Sequence, residues 1–438
     1  MTALHVDLWS RHPCLPTLPP SDPFGKISAV RPSAVSYNGA ELLLSPPYPV
    51  HGGYPVSRQG FILFTLFVLG WLQIPCAAAT SAPQSSVAKP DVAVMHTALR
   101  HALALQFAQA IETSAQLEEE QEPTLTSQLI KGIIAYLQSR WQTPQTPPAW
   151  KVGQEAFADV LEKGQERLQQ SGDDPWLNLL LGTAAIFNAL LQQQESAWES
   201  LQLFAQGRAW LQETLLLYDD MTDAHLGLGL LYFAGADLPA PLQFLWGGMG
   251  EKPSVSESIR HLQRAAEAGQ FTTEVARMFL AQVYEQEKRY DEAIALGQAL
   301  HASFPENGYY ALLTGRSQCA YGRYAACAVT LATLATRYAT SPSLLGSRDD
   351  RFDLYYTWGK ALNELGQDEQ AFHAFRQAIN QDPGVTRDAT LWAKYHLARL
   401  YERRGQHKTA RQLYQTLLRG RNVDDLHEQV QQRLAGLR

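Results

Sequence analysis

Between residues 274 and 307 the apolar side chains fall on a helical period twice, with one break between the two runs. Leu280, Ala281 and Tyr284 form one stripe. Ala293, Ile294, Leu300 and Phe304 form the other, and Pro305 stops it. Tyr290, Asp291 and Glu292 stand at the break. The spacing predicts two helices joined by a tight turn. Small residues at Ala281 and Ala293 let antiparallel helices approach closely. The large residues around them leave apolar surface that one pair cannot bury alone, so a chain holding such a unit must stack further pairs upon it.

Further units of this kind follow. One starts near 308 with Gly315, Gly322, Tyr324 and Cys327. Another starts near 352 with Trp358, Gly359, Gly366, Ala371, Phe375, Ala378 and Pro383. The last starts near 391 with Leu397, Ala398, Tyr401, Gly405, Ala410 and Tyr414. A polar insert, 342–350, separates the second and third. Residues 425–438 read as a capping helix with a polar outer face, as the end of a stack requires. Two degenerate units precede them between 175 and 273, marked by Leu181-Gly182 and Leu228-Gly229. The second is interrupted by the Pro- and Gly-punctuated insert 238–250. Residues 80–174 open on a polar tether and continue as helices expected over 91–120, 127–141 and 154–170. Strand-like alternation is absent after residue 79, and the expectation is an all-α chain.

The beginning is of another character. Residues 1–57 are rich in Pro, Ser, Gly and Tyr without helical period, which reads as disorder or as sequence ahead of the true translation start near Val56. Residues 58–79 read as a signal peptide, with an uncleaved membrane anchor as the alternative. Arg58 flanks a short apolar run, and Ala77 and Ala79 give an A-x-A site. Pro75 before Cys76 makes a poor lipidation site. The expectation is therefore an exported protein, periplasmic or envelope-associated.

The four units resemble the tetratricopeptide repeat, whose period is about 34 residues. Leu280, Ala281, Tyr284, Ala293 and Pro305 match its pattern. The resemblance implies a right-handed superhelical solenoid of antiparallel helix pairs whose first helices line a concave groove. Residues 222–273 also resemble, in part, an interrupted repeat of bacterial exported proteins and of a eukaryotic organelle-membrane family, through the run from Ser258 to Ala265.

In the resembled family the ninth position of each unit faces the groove. Here those residues are Gln282, Arg316, Lys360 and Arg399. Beside the three cations the resemblance places Tyr309, Tyr356, Trp392, Tyr395 and Arg403. Aromatic residues with arginine are what binding hot spots favour, and the groove is expected to take an acidic or carboxylate-ended protein segment. Glu285, Glu364 and Glu402 lie near enough to pair with the cations instead, leaving a solvated face. The insert offers a second surface: Phe244, Leu245, Trp246 and Met249 contact a membrane or partner, or fold back and plug the stack. Cys319 and Cys327 flank one turn. They form a bridge in an oxidising compartment, or they are two small buried residues.

Catalytic chemistry has no visible carrier. The chain lacks the H-E-x-x-H, P-loop and G-x-S-x-G patterns, and the Gly-rich run 247–250 before Lys252 follows no strand. His373, His396 and His407 are scattered on helices, so no metal or cofactor is expected. With four cysteines the chain is neither a disulfide scaffold nor a cysteine-ligated zinc module. A net charge of −7 argues against general nucleic-acid binding. These readings converge on a non-catalytic scaffold of the cell envelope that binds protein through its groove. The alternative is a membrane-associated repeat protein acting in lipid or envelope assembly through the insert.

Overall fold

The computed structural model describes residues 91–118, 124–141, 148–172, 174–193, 196–236, 253–385 and 387–437. The expected extension 1–57, the signal or anchor segment 58–79 and the insert 238–250 with Phe244, Leu245, Trp246 and Met249 lie outside the described residues. All described residues belong to one compact unit. They are helical, with no strand among them.

Four helix pairs repeat in register. They are α9 (Thr273–Gln286) with α10 (Tyr290–Ser303), α11 (Gly308–Ala320) with α12 (Tyr324–Thr340), α13 (Arg348–Glu364) with α14 (Asp368–Gln381), and α15 (Asp388–Arg403) with α16 (His407–Arg419). The register is fixed by backbone chemistry. Each first helix ends on a left-handed residue at one equivalent site: Lys288 (φ 60°), Gly322 (82°), Gly366 (70°) and Gly405 (72°). The next residue's N–H then donates back to a carbonyl five positions earlier: Arg289 to Tyr284, Arg323 to Gln318, Gln367 to Leu362 and Gln406 to Tyr401. This closure satisfies carbonyls that a helix end leaves orphaned. Three of the four sites use glycine, which reaches this conformation without steric cost.

Close approach within each pair comes from the small residues. Ala293, Cys327, Ala371 and Ala410 on the second helices are fully buried. On the first helices a Cβ at Gly315 would meet Leu331 Cδ2 at 2.4 Å, and one at Gly359 would meet Phe375 at 2.9 Å. A further helix, α17 (Leu426–Gly436), buries Leu426 and Val430 against the last pair.

Ahead of these pairs stand α1 (Val92–Leu103), α2 (Phe107–Ser114), α3 (Leu125–Trp141), α4 (Ala149–Ser171), α5 (Pro175–Gln192), α6 (Ala197–Leu217), α7 (Ala224–Ala236) and α8 (Val255–Ala268). The single helix expected over 91–120 is two helices and a short 3₁₀ turn, Ala115–Leu117. Leu105 adopts φ 62° and Gln106 N–H donates to His101 O at 2.9 Å. That is the same left-handed closure as in the repeats, made here without glycine. Helix α5 is capped by Asp174, whose carboxylate accepts from the N–H groups of Trp176 and Leu177, with Pro175 preorganising its first turn. It is buried from Pro175 through Ala189, so it forms the centre of the N-terminal block.

The interrupted unit, α7 with α8, is stapled by a buried carboxylate. Asp223 accepts from the N–H groups of Gln270, Phe271 and Thr272 and from the Thr272 hydroxyl, all within 3.1 Å. A buried acceptor with this many donors holds the α8–α9 connection in one geometry. Deeper between α7 and α8, Nδ1 of His225 lies 2.7 Å from Nδ1 of His261, and Tyr232 stacks on the His261 ring. Burial, then the arginines at 264 and 260, lower the His225 pKa to about 4. Burial, then His225 and Arg260, lower that of His261 to about 3. The pair is thus neutral, with one ring N–H donating to the other ring's nitrogen.

Apolar packing divides the molecule unevenly. One continuous core runs from Met95 in α1 to Leu313 in α11. At its heart Phe187 meets Tyr136, Phe157 and Phe279 with ring centroids 5.2, 5.9 and 6.4 Å away. A second core runs from Ala311 in α11 to Leu400 in α15, and a third gathers around Tyr414. Helix α11 is therefore shared by the first two cores.

Candidate functional site

The first helices of the repeats present the face on which a groove is expected, and its two ends differ. At the α9 end the face is covered by the chain's own N-terminal block. Tyr136 of α3 packs on Phe279, and Trp141 at the end of α3 packs on Tyr309 and Tyr310 at 5.8 and 6.1 Å. From α1, His96 and Arg100 both reach the carboxylate of Glu274. Asn307 donates from its side-chain amide to Leu103 O at 2.9 Å, and the Arg100 guanidinium lies over the Phe304 ring. Gln282, at the ninth position of the first unit, is only 3% exposed.

The expected aromatic lining is corrected by this packing. Tyr309, Tyr356 and Tyr395 are 4%, 7% and 4% exposed. Tyr309 is covered by Trp141. Tyr356 stacks on Phe352 and reaches Phe375 inside its own unit, and Tyr395 packs against Tyr414. Their rings build the repeats instead of offering an open surface. Trp392 is half-buried, edge-on to Tyr395.

Arg316, the first cation of the expected stripe, is also withdrawn. Its guanidinium grips Glu285 of the preceding unit with two bonds, 3.0 and 2.8 Å, and reaches Asp353 of the following unit at 3.3 Å. The side chain is 10% exposed. Burial opposes its charge, but Glu285, Tyr309 and Asp353 outweigh that and raise its pKa well above the ordinary guanidinium value. Bidentate pairing of this kind fixes geometry as well as charge. Arg316 is a tie across three units, not a free ligand contact. Close by, burial, opposed by Arg316 and reinforced by Asp353, lifts the pKa of Asp350 to about 7.

What remains open lies between α13 and α15. On α15, His396, Arg399 and Arg403 fall at helical spacing on one face. On α13, Lys360 and Asn363 face them, and the contact is made by Arg403, whose guanidinium donates to the Asn363 side-chain oxygen and pairs with Asp368 at 3.1 Å. Lys360 and Arg399 lie over the rings of Tyr356 and Tyr395, at 5.6 and 6.0 Å from the centroids. Among the described residues no carboxylate pairs with Arg399. Glu402 accepts from the Tyr414 hydroxyl at 3.0 Å, so it is engaged elsewhere. The buried tyrosine rings thus lie beneath the charged groups of the two cations.

His396 was readable only as one of several scattered helix histidines. Its ring stacks on Phe375 at 5.1 Å with 9° between planes, and its Nδ1 is buried with no hydrogen-bond partner. Burial, then Lys360, Arg399 and Arg403, push its pKa down to about 3. A neutral imidazole therefore sits among three cations. No residue pattern marks it, because the effect needs cations from two units.

Cys319 and Cys327 form a disulfide with 5.3 Å between Cα atoms. Among the described residues no group of three or more His, Cys, Asp or Glu is placed to hold a metal ion. No described helix is long and apolar enough to cross a membrane. Of the other cations of the last unit, Arg404 pairs with Glu369 of the preceding unit and Arg421 with Asp388 of its own, each at 2.7 Å.

Solved structures similar to the chain include that of yeast Tom70. It is 12% identical over 78% of this chain and 81% of that one, with a TM-score of 0.38. Another is the human IFIT1 dimer with PPP-AAAA, 13% identical over 75% and 72%, with a TM-score of 0.33. No curated protein matches the sequence. The family model of the tetratricopeptide repeat matches residues 350–422. The part of the chain that carries Lys360, His396, Arg399 and Arg403 is therefore tetratricopeptide-repeat sequence.

Proposed function

We propose that the chain is an exported, non-catalytic scaffold of the cell envelope that holds an acidic or carboxylate-ended segment of a partner protein between α13 and α15. The observation that carries this reading is Arg399. It stands half-buried on a tyrosine ring beside Lys360 and Arg403, with no carboxylate paired to it among the described residues. A cation held this way keeps its charge for a ligand, and its ordering cost is already met by the repeat. The tetratricopeptide match over 350–422 supports a protein-binding role for the same segment. Export is supported by the signal-like segment 58–79 and by the disulfide, since disulfides persist mainly in oxidising compartments.

The test is fluorescence-anisotropy binding of a labelled acidic peptide with a free C-terminus, against the same peptide with its acids amidated. Wild type should prefer the acidic form. The double variant Lys360→Ala/Arg399→Ala should lose at least about tenfold in affinity, the scale of a desolvated charge contact, while Arg316→Lys should bind as wild type does. Equal binding of both peptides, or unchanged affinity in the double variant, would remove the proposal.

A further inference from the structure

The two sulfurs of the disulfide are not equivalent. Cys319 stands on the last turn of α11, half-buried, with its Sγ near the Thr357 carbonyl of α13. Cys327 is 0% exposed and takes the site that Ala293, Ala371 and Ala410 fill in the other units. The turn between them is closed by Gly322 in the left-handed conformation and by the Arg323-to-Gln318 hydrogen bond. Its sister turns close the same way with no cysteines at all. The repeat itself therefore brings the two side chains together, and the bond is added to a geometry already formed. Their 5.3 Å Cα separation falls inside the range a disulfide spans.

We propose that this pair is a thiol–disulfide exchange site with a fixed direction, oxidised by an external disulfide that enters only at Cys319. The Cys319 thiolate attacks one sulfur of the external disulfide. That S–S bond breaks, one external thiolate leaves, and a mixed disulfide stands on Cys319. Cys327 then attacks Sγ of Cys319 as its thiolate and expels the second external sulfur, which takes up the Cys327 proton and leaves as a thiol. Two protein thiols lose two electrons and two protons, and one external disulfide becomes two thiols. Exchange of this type requires access to the attacked sulfur. Burial of Cys327 confines the first step to Cys319, and the preformed turn makes the second step intramolecular.

The location gives the bond a consequence. Leu313 of α11 belongs to the first core, whereas Leu312 of α11 and Cys327 of α12 belong to the second. Oxidation therefore ties the helix shared by the two cores to its partner, at the joint between the N-terminal block and the repeats that carry the cationic face.

The test treats the full-length chain with glutathione disulfide and maps adducts by peptide mass spectrometry. In Cys327→Ala, which installs the residue the sister units use, Cys319 should accumulate one stable glutathionyl group. In Cys319→Ala, Cys327 should react at least about tenfold more slowly, as buried thiols do. Reduced wild type, quenched early, should show the mixed disulfide on Cys319 and later the 319–327 bond. Circular dichroism confirms that each variant is folded. The early quench of wild type needs no variant at all. Adducts on Cys327 as fast as on Cys319, or a folded Cys327→Ala that leaves Cys319 unmodified, would overturn the proposal.

Discussion

The N-terminal block and the last two repeats solve one problem in opposite ways. Both are made of helix pairs whose first helices carry a broad face. Around α9 that face is covered by α1 and α3, and the result is one continuous core from Met95 to Leu313. Around α13 and α15 nothing described covers it. There the tyrosines sink into their own units and cations stand on top of them. A repeat's face is thus not a binding surface by virtue of its register. It becomes core or groove according to whether another part of the chain lies on it.

Several experiments test this contrast, the largest expected effects first. Phe187→Ala removes the ring that joins α3, α4 and α9 and should cost about 3–5 kcal/mol in chemical denaturation. If only the last two repeats unfolded first, the single N-terminal core would be wrong. Arg316→Met strands Glu285 and should cost about 3 kcal/mol, and adding Glu285→Gln should recover part of it. An Arg316→Met protein as stable as wild type would return Arg316 to the exposed stripe.

Acid should weaken the fold. His225, His261 and His396 have pKa values of about 4, 3 and 3 in the folded chain. The unfolded chain protonates its histidines near pH 6.5. Their stabilisation is therefore complete above pH 6.5 and is lost as pH falls toward 4. Asp350 acts with the opposite sign. Its folded pKa of about 7 exceeds the unfolded carboxylate value, so it favours folding below pH 4 and loses that contribution as pH rises to 7. His301, lowered by burial and then by Arg337, acts with the other histidines, and Asp353, raised by burial, acts with Asp350. The histidines outnumber the two carboxyls, and the melting temperature should drop between pH 7 and 4.5. His396→Gln should shrink the drop and Asp350→Asn should enlarge it. A drop unchanged in both would refute the assignment.

Smaller effects distinguish the turns and the surface. Lys288→Gly relieves a left-handed conformation and should raise stability by about 1 kcal/mol, making the α9–α10 turn like its three sisters. Arg399→Ala should change stability by no more than about 0.5 kcal/mol, because no described carboxylate pairs with it. A larger loss in thermal denaturation would mean that the cation serves the fold.

Local signals in the sequence were strong wherever they depended on neighbours along the chain. Ala281, Gly315, Gly359 and Ala398 marked the close helix contacts, and Gly322, Gly366 and Gly405 marked the turns. The break at Leu105 left no such mark, because a leucine there takes a conformation that glycine usually signals. Arg316 could be placed on the groove side by register, but register does not tell that Glu285 and Asp353 from two other units close upon it. Cys319 and Cys327 stood at a turn in the sequence, yet only the folded turn sets their separation and the difference in their exposure.

The sequence by itself determined the helix pairs, their turns and the stacking of the last four units, because short-range periodicity and small-residue spacing are written along the chain. Only the tertiary structure decided which part of the stacked face is filled by α1 and α3, which cation is spent on an ion pair, and where His396 sits among cations from two units. Those outcomes depend on helices and charges far apart in sequence arriving at one place, and no local pattern encodes that arrival.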